Sequence, residues 1–492
     1  MNKKIYTLIL TLALFVSCSG LQSYYYKLEK YMINENYDRA QSLIDVSKKY
    51  YGTKNEFLYY LDLAFTQHLS QNYQQSNDNF ETAKKIYDAN YTKSISAGAF
   101  SLFANDNVIP YYGHTYEMAY INVFCALNYI LQGLDNEAVV EARQADNLFK
   151  KINADSYGKA FYNDDPFVRY FMGMVYENAG YYNDAIISYK LALRNYDKSL
   201  YSKTNYKQPK GNVGYNLPVP KDLIYSLYNL YVKFGFSQEA ENLKTIFPFF
   251  VSENNEDNCG ELIIINYNGL SPKKVDNIME ISFYKAWPYF VSTKVSTQEQ
   301  DQAEKVKSTV RAGFSDDYIK IAFAKYERYQ NKITSFEVEN TSIPNKNSSE
   351  QDILSNSYIV SDIGTLLISA LQKENLATYS KTIARAVGRY VIAKTLTDQI
   401  RQQESKDNNT LSILTNSFLN ITNSLLEKAD KRSWRTLPET INMAKIYLPE
   451  GEHTLNIKYL SSTKTTIYSE KIKVDIKRNK KTFVITKSFK NY

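Results

Sequence analysis

The feature that most constrains the fold of this chain is a pattern that recurs five times between Tyr24 and Phe250. Its clearest copy is YFMGMVYENAGYYNDAIISYKLALRNY. The residues that define it are Gly173, Tyr176, Gly180, Tyr182, Ala185, Tyr189 and Ala192. Small residues at helical spacing on both sides of a glycine predict two antiparallel helices that approach closely and are joined by a tight turn.

Four weaker copies keep the same frame. The matching residues are Ala64, Tyr73, Ser76, Phe80 and Ala83; Ala126, Tyr129, Gly133, Ala138, Ala142 and Ala145; Tyr37 and Ala40; and Tyr231, Gly235 and Ala240. This frame resembles the tetratricopeptide repeat, whose helix pairs stack into a solenoid. The sequence therefore predicts a tetratricopeptide-like α-solenoid over residues 18–250, with a concave face that binds a partner.

The first residues have the pattern of a secretory signal peptide. Lys3 and Lys4 precede an apolar run that is shorter than the ~20 residues a bilayer-spanning helix needs. The following FVSC stretch resembles the lipobox of bacterial lipoproteins. That resemblance implies removal of residues 1–17 and attachment of diacylglycerol and a palmitate-type acyl chain to Cys18, and Ser19 favours the outer membrane, facing the periplasm. The alternative is an ordinary signal peptide whose cleavage site happens to precede a cysteine.

The composition changes after Phe250. Residues 251–259 are polar and acidic, which predicts a linker, and residues 260–345 contain strand-like segments closed by turn residues. Helical periodicity from Ser355 predicts a helical hairpin over residues 350–430. The second apolar stripe of that hairpin consists of Leu411, Leu414, Phe418, Ile421 and Leu425.

Residues 431–492 return to strand-like segments, with a turn at Pro449, Glu450 and Gly451. The simplest arrangement is one β-sandwich that uses both sets of strands, with the helical hairpin inserted between them. The predicted fold class is therefore α+β multidomain: a tetratricopeptide-like solenoid followed by a β-sandwich-like module.

Three further segments carry a broader resemblance: Gly269–Lys273, Ile383–Tyr390 and Arg432–Pro438. With the lipobox and the degenerate repeats, they make nearly the whole mature chain look like a family of bacterial envelope lipoproteins whose biochemical role is not established. Members of that family are often encoded near lipoproteins that activate peptidoglycan synthases. The resemblance therefore implies work in the cell envelope.

Two segments contain candidate binding residues. The first segment departs from the repeat frame and would form a loop over the concave face. The second segment places an aromatic ring and two cations beside a turn, which is a composition typical of binding hot spots. The candidates are Tyr111, Tyr112, His114 and Tyr116 in the first segment and Arg432, Trp434 and Arg435 in the second. The alternative is that Trp434 fills the junction between the hairpin and the sandwich while the arginines cap helix ends.

Nothing in the sequence indicates an enzyme, a metal site or a cofactor. The chain has three histidines, His68, His114 and His453, on separate elements, and it lacks a glycine-rich phosphate loop. Its formal net charge of +7 is spread thinly, which argues against a nucleic-acid partner. Cys125 and Cys259 lie far apart in the sequence, so a disulfide framework is not expected.

Two functions fit these observations. The first is a lipid-anchored scaffold, not an enzyme, whose repeats bind another envelope protein. The second is a solute- or glycan-binding lipoprotein similar to the starch-utilisation nutrient binders, which also contain tetratricopeptide units. Those binders usually expose several tryptophans, whereas this chain has only Trp287 and Trp434, and the scaffold is therefore favoured.

Overall fold

A computed structural model describes residues 19–96, 109–155, 162, 164–197, 217–247, 259–284, 287–290, 318–340, 353–374, 379, 382–383, 386 and 429–490. The signal segment, Cys18, and the apolar stripe from Leu411 to Leu425 lie outside these described residues.

The described part of the first half is helical. Its helices are α1 (Ser19–Ile33), α2 (Tyr37–Asp45), α3 (Lys48–Tyr51), α4 (Glu56–Leu69), α5 (Tyr73–Ser96), α6 (Thr115–Leu131), α7 (Asp135–Asp155), α8 (Pro166–Asn178), α9 (Tyr182–Tyr196), α10 (Lys221–Lys233) and α11 (Ser237–Ile246), with a short 3₁₀ helix at Thr53–Asn55. The helices form five pairs, α1–α2, α4–α5, α6–α7, α8–α9 and α10–α11, and each pair packs on the next.

The same turn joins the two helices of every pair. One residue of each turn has a left-handed backbone conformation: Glu35 (φ 55°), Gln71 (φ 64°), Gly133 (φ 74°), Gly180 (φ 82°) and Gly235 (φ 75°). The next residue donates its backbone N–H to the carbonyl five positions earlier, as in Tyr181 to Tyr176 at 2.8 Å. This is a Schellman turn, which satisfies the last carbonyls of the first helix.

Five positions after each left-handed residue lies a small buried residue: Ala40, Ser76, Ala138, Ala185 or Ala240. These are the residues that the repeat frame aligned, so the described residues contain five tetratricopeptide-like helix pairs. The close approach predicted at Gly173 is also present. A Cβ atom on Gly173 would lie 2.3 Å from Cδ1 of Tyr189, so the tyrosine ring rests on the glycine backbone.

The described strands of the second half are β1 (Cys259–Leu270), β2 (Lys273–Tyr284), β3 (Trp287–Phe290), β4 (Tyr318–Glu327), β5 (Ser335–Asn340), β6 (Ile353–Asn356), β7 (Tyr358–Asp362), β8 (Pro438–Pro449), β9 (Gly451–Leu460), β10 (Thr466–Ile476) and β11 (Lys481–Ser488). The first sheet has the order β11-β1-β8-β7, the second β10-β9-β5-β6 and the third β3-β2-β4. In the first sheet, β1 is parallel to β11 and antiparallel to β8.

The first sheet is buried on both faces. From β1, Leu262 and Ile264 join Phe336 of β5 and Ile457 of β9 in a core between the first and second sheets. The alternate residues Ile263, Ile265 and Tyr267 of the same strand join the core of the helices. This double burial explains why β1 reads as a continuous apolar run and does not alternate with polar residues.

Several predicted boundaries are wrong. The predicted hairpin of residues 350–430 was expected to be helical from Ser355. The structure instead has strands β6 and β7 there. A helix, α12 (363–374), begins only after them. Tyr358, Ile359 and Val360 favour a strand, and β7 pairs with β8. Cys259, placed in the linker, is the first residue of β1. The prediction of one β-sandwich also did not include the third sheet, which is formed by β2, β3 and β4.

We expect Gly173→Ala to lower the free energy of unfolding by about 1–3 kcal/mol, because the added methyl group overlaps the ring of Tyr189. Denaturant unfolding of the purified protein measures this change. Asn183→Ala, at an exposed position of α9, is the matched control and should stay within about 0.5 kcal/mol of the parent. Equal stability of both variants would show that the ring moves aside without cost.

Candidate functional site at the junction of helices and sheets

Four helices contact the first sheet or the segment before β8. They are the first helices of the last four pairs, α4, α6, α8 and α10. Nearly every residue of α4, α6 and α8 is buried. Polar contacts across the junction join His68 Nε2 to Tyr267 Oη at 2.8 Å, Tyr120 Oη to Ser361 Oγ at 2.6 Å, and Lys445 Nζ to Ser226 Oγ at 3.0 Å. The face that was expected to bind a partner is therefore covered by the chain's own sheet.

Trp434 occupies the centre of this junction. Its side chain is 1% exposed and lies edge-on to Phe65, Phe80 and Phe124, at ring-centroid distances of 6.0–6.1 Å. Its Nε1–H donates to Thr436 Oγ1 at 2.9 Å. Trp434 thus fills a junction, but the junction lies between the repeat helices and the first sheet and not at the predicted hairpin. Its burial excludes it as a contact residue for a partner.

Arg432 and Arg435 hold separate segments together. Arg432 pairs with Asp430 at 2.6 Å and donates to the carbonyl of Ile109 at 2.8 Å, ahead of α6. Arg435 pairs with Glu29 of α1 at 3.1 Å, and its guanidinium lies 4.9 Å from the ring of Tyr25. Neither of these contacts is made to the last carbonyls of a helix, as the capping alternative would require. Both arginines link the repeats to the segment before β8.

The structure brings the two candidate segments together, because the Arg432 guanidinium lies 5.5 Å from the ring centroid of Tyr111. Tyr111 is 6% exposed and donates its hydroxyl to Glu117 Oε1 at 2.8 Å. Glu117 Oε2 accepts the backbone N–H of His114, which precedes α6, at 2.8 Å. Tyr116 is also buried. These contacts fix the start of α6 and leave little of the cluster accessible.

His114 and Tyr112 are the more accessible members of this cluster, both partly buried. The His114 ring stacks on Tyr116 with centroids 4.9 Å apart, and its Nδ1 lies 3.0 Å from Glu374 Oε1. Although burial opposes the charged form, Glu374 raises the pKa of His114 above its ordinary value. The ion pair connects the repeats to α12.

His68 is a buried neutral histidine. Burial lowers its pKa to about 4. Asn128 directs its amide N–H groups to Ser76 and Asn77, so its Oδ1 accepts from His68 Nδ1 at 2.5 Å. Nε2 of His68 is then left to accept the Tyr267 hydroxyl at 2.8 Å. His68 is a structural link between α4, α6 and β1.

Asp62 is a buried acid that was not predicted from the sequence to have a role. It is fully buried in α4 and accepts the Tyr51 hydroxyl at 2.8 Å and the Thr436 hydroxyl at 3.0 Å. Burial raises its pKa to about 7, although these hydrogen bonds favour the carboxylate. The available signal was a lone acidic residue inside the apolar stretch FLYYLDLAF.

One group of described residues has the spacing of a metal site: Glu81, Cys125 and Glu141. The ammonium of Lys84 lies 2.6 Å from a carboxylate oxygen of each glutamate and donates to Gln144 at 2.9 Å. Despite burial, its acidic neighbours raise the pKa of Lys84. Lysine supplies the positive charge that these carboxylates require, which favours an ion-paired cluster. Burial raises the pKa of the Cys125 thiol, and within the described part of the chain Cys125 and Cys259 are not joined by a disulfide.

Apolar side chains that are exposed, or in the case of Tyr182 partly buried, lie at the turns of the last three helix pairs. We call this the turn patch; its residues are Leu134, Tyr181, Tyr182, Phe234 and Phe236. Leu134, Tyr181 and Phe236 follow the left-handed residue in their turns and are 38%, 39% and 39% exposed. Phe234 is 44% exposed, and its ring lies 5.1 Å from that of Tyr182.

Two cations border the turn patch. The Arg143 guanidinium lies 5.1 Å from the ring of Tyr181, and Lys233 Nζ lies 4.2 Å from the ring of Tyr182. This surface was not predicted from the sequence. The repeat frame held the signal, because the matching positions of the first two pairs are Asn36 and Asn72.

Comparisons with known proteins return structures of helical repeats. No protein-family model matches the chain, and no curated protein matches it. Two solved structures with tetratricopeptide-like repeats of a putative kinesin light chain from Podosopora anserina, one of them a point variant, are similar at 15% and 16% identity. They cover 47% and 46% of this chain and 94% and 92% of their own, with TM-scores of 0.28 and 0.27.

A third similar structure is BtubC from P. vanneervenii, at 13% identity, with 45% of this chain and 78% of that chain covered and a TM-score of 0.27. The five matching turns, and not these distant similarities, establish the repeats here. Among the helices of the described residues, none is both long enough and apolar enough to cross a membrane.

We expect Asp62 to make stability depend on pH. A raised pKa in the folded protein means that the carboxyl binds its proton below about pH 7, whereas the unfolded chain binds it only near pH 4. Stability from this group therefore rises as pH falls from 7 towards 4. The excess stability of the parent over Asp62→Asn should increase by about 2 kcal/mol between pH 8 and pH 5.

Denaturant unfolding of both proteins at the two pH values measures this difference. Because His68 is present in both, its own titration cancels in the comparison. A difference that does not change with pH would show that Asp62 is ionised throughout.

Proposed function

We propose that this protein is a non-enzymatic scaffold that binds another protein of the bacterial envelope through its tetratricopeptide-like repeats. Lipid on Cys18 anchors it, with residues 1–17 removed, to the outer membrane on the periplasmic side. The work it supports is envelope or peptidoglycan assembly. The observation that carries the binding role is the turn patch.

The turn patch has the composition of a protein-binding surface. Aromatic side chains and arginine are enriched at protein interfaces, and an exposed cluster of large apolar residues is unusual away from them. The inner helices are packed against the first sheet, so the turns and the outer helices are the parts of the repeats available to a partner. We therefore assign partner docking to the turn patch, and not to the concave face that the sequence predicted.

The charges beside the turn patch indicate what a partner offers. Arg143 is exposed and lies over Tyr181, and Lys233 is exposed and lies over Tyr182. A partner segment with apolar side chains flanked by carboxylates would contact the rings and pair with these cations. The proposed partner is therefore an envelope protein with an acidic, apolar segment.

Combining Tyr181→Ala with Phe234→Ala should reduce recovery of the partner at least about tenfold, because loss of two aromatic contacts at a hot spot weakens binding by more than about 1.4 kcal/mol. The measurement is crosslinking in intact cells, followed by purification in detergent and quantitative mass spectrometry. The control combines Tyr26→Ala with Val46→Ala, which removes side chains that are 69% and 75% exposed elsewhere on the repeats. Equal recovery from both double variants would contradict docking at the turn patch.

Cys18→Ser should abolish incorporation of a palmitate analogue and release the protein from the membrane fraction, because the acyl chains supply the membrane affinity. Metabolic labelling and fractionation measure both effects. Cys259→Ser, which keeps the N-terminal segment intact, is the control and should remain labelled. Undiminished labelling of Cys18→Ser would exclude lipid attachment at this residue. Recovery of the partner by the released variant in vitro separates anchoring from docking.

A further inference from the structure

The lipid proposed on Cys18 brings a bilayer close to the start of α1. The chain is helical from Ser19, the residue that follows Cys18, so the attachment residue and the repeats are directly joined. Because a helix rises about 1.5 Å per residue, Tyr24 lies about 8 Å along the axis from Ser19. The headgroup layer on each side of a bilayer is roughly 5–8 Å thick. The first two turns of α1 therefore lie at or near the headgroups.

The short helix α3 is held against these first turns of α1. Tyr24 Oη and Tyr51 Oη are hydrogen-bonded at 2.8 Å, and the ring of Tyr24 stacks on that of Tyr50 with centroids 5.9 Å apart. The ring of Tyr25 lies edge-on to that of Tyr51 at 6.0 Å. α3 belongs to the connection between the first two helix pairs. We call this surface the connection edge; it consists of residues 23–27 and 45–56.

Tyrosine, valine and lysine side chains are exposed on the connection edge. Tyr26, Val46 and Tyr50 are 69%, 75% and 46% exposed. The exposed lysines are Lys27, Lys48, Lys49 and Lys54. The acids of this surface are Asp45 and Glu56. With four lysines against two acids, the connection edge has an excess of positive charge.

Two of these lysines lie against tyrosine rings. Lys49 Nζ lies 5.4 Å from the ring centroid of Tyr50, and Lys48 Nζ lies 5.0 Å from that of Tyr60. Lys48 also lies 3.6 Å from Glu56, but these side chains are 52% and 41% exposed, so the pair is weak. Tyrosine is enriched at membrane–water interfaces, and lysine extends its ammonium group towards phosphates there. The connection edge has the composition of a surface that contacts headgroups.

We propose that the connection edge contacts the anionic phospholipid headgroups of the membrane that holds the protein. Its lysines pair with phosphates, and the Tyr50 ring lies at the interface. This role rests on the proposed acylation of Cys18, which places a bilayer, and not a soluble anionic partner, beside these residues. α1 is about 22 Å long, and the first repeat turn, at Glu35, lies at its other end. The first turn of the repeats therefore faces away from the bilayer.

The first test is flotation of residues 18–492 with Cys18→Ser, so that no acyl chain contributes, on vesicles that contain phosphatidylglycerol. Low ionic strength is used, because at physiological salt screening leaves this contact too weak to hold the chain by itself. Combining Lys49→Gln with Lys54→Gln should lower the partition coefficient about tenfold or more, since each lysine near an anionic surface contributes about fivefold. Vesicles of phosphatidylcholine alone should bind the parent much more weakly.

The matched control combines Lys471→Gln with Lys473→Gln, two exposed lysines of β10. It changes the net charge by the same amount and should stay within about twofold of the parent. Failure of the parent to bind phosphatidylglycerol, equal binding to both lipids, or equal loss in both double variants would overturn the proposal. Because this flotation uses no acyl chain, its outcome is separate from the labelling of Cys18.

The second test measures orientation with the acylated protein in vesicles that contain brominated phospholipid. The bromines should quench the added emission of Tyr50→Trp and leave that of Phe236→Trp, in the turn patch, unchanged. Equal quenching of the two variants would contradict the proposed orientation. The lipid by itself holds the acylated chain at the membrane. The Tyr26 and Val46 control of the docking experiment therefore remains membrane-bound.

Discussion

Burial of the first sheet on both faces is the constraint on which the rest of this structure depends. One face of β1 packs on the second sheet and the other packs on the repeat helices. A central strand in this position needs apolar residues at successive positions, and LIIINY meets that requirement. The helices and the first sheet therefore share one apolar core and are not a repeat domain joined to a separate module.

Polar groups at the junction of the helices and the first sheet are paired across it, which offsets the cost of their burial. Glu261 of β1 accepts Lys445 and Lys481, each at 2.6 Å, and against the effect of burial these ion pairs lower its pKa to about 2. Lys481 also reaches Glu177 of α8 at 3.2 Å. Breaking such a buried pair leaves an uncompensated charge, which is strongly unfavourable. The junction is held by directional contacts as well as by apolar burial.

The sequence predicted local structure better than the contacts between distant segments. The repeat frame identified Ala40, Ser76, Ala138, Ala185 and Ala240, because close helix packing requires small residues at fixed intervals. The main strands were also predicted from their residue types. The junction between the helices and the first sheet was not predicted. Trp434 contacts Phe65, and Asp62 accepts the hydroxyl of Thr436, and the residues in each of these contacts are hundreds of positions apart in the sequence. A pattern read along the chain indicates that a face is apolar, but it does not identify what covers that face.

The same limit explains the interpretation of the candidate sites. An aromatic residue beside two cations has the composition of a binding hot spot, and it also has the composition of an internal junction that must be both packed and paired. Burial distinguishes the two, and Trp434 is buried whereas Tyr181 and Phe234 are exposed. In the repeat frame, the position after the left-handed residue changes from Asn36 and Asn72 to Leu134, Tyr181 and Phe236. One repeated turn thus presents a polar surface on the first two pairs and an apolar surface on the last three.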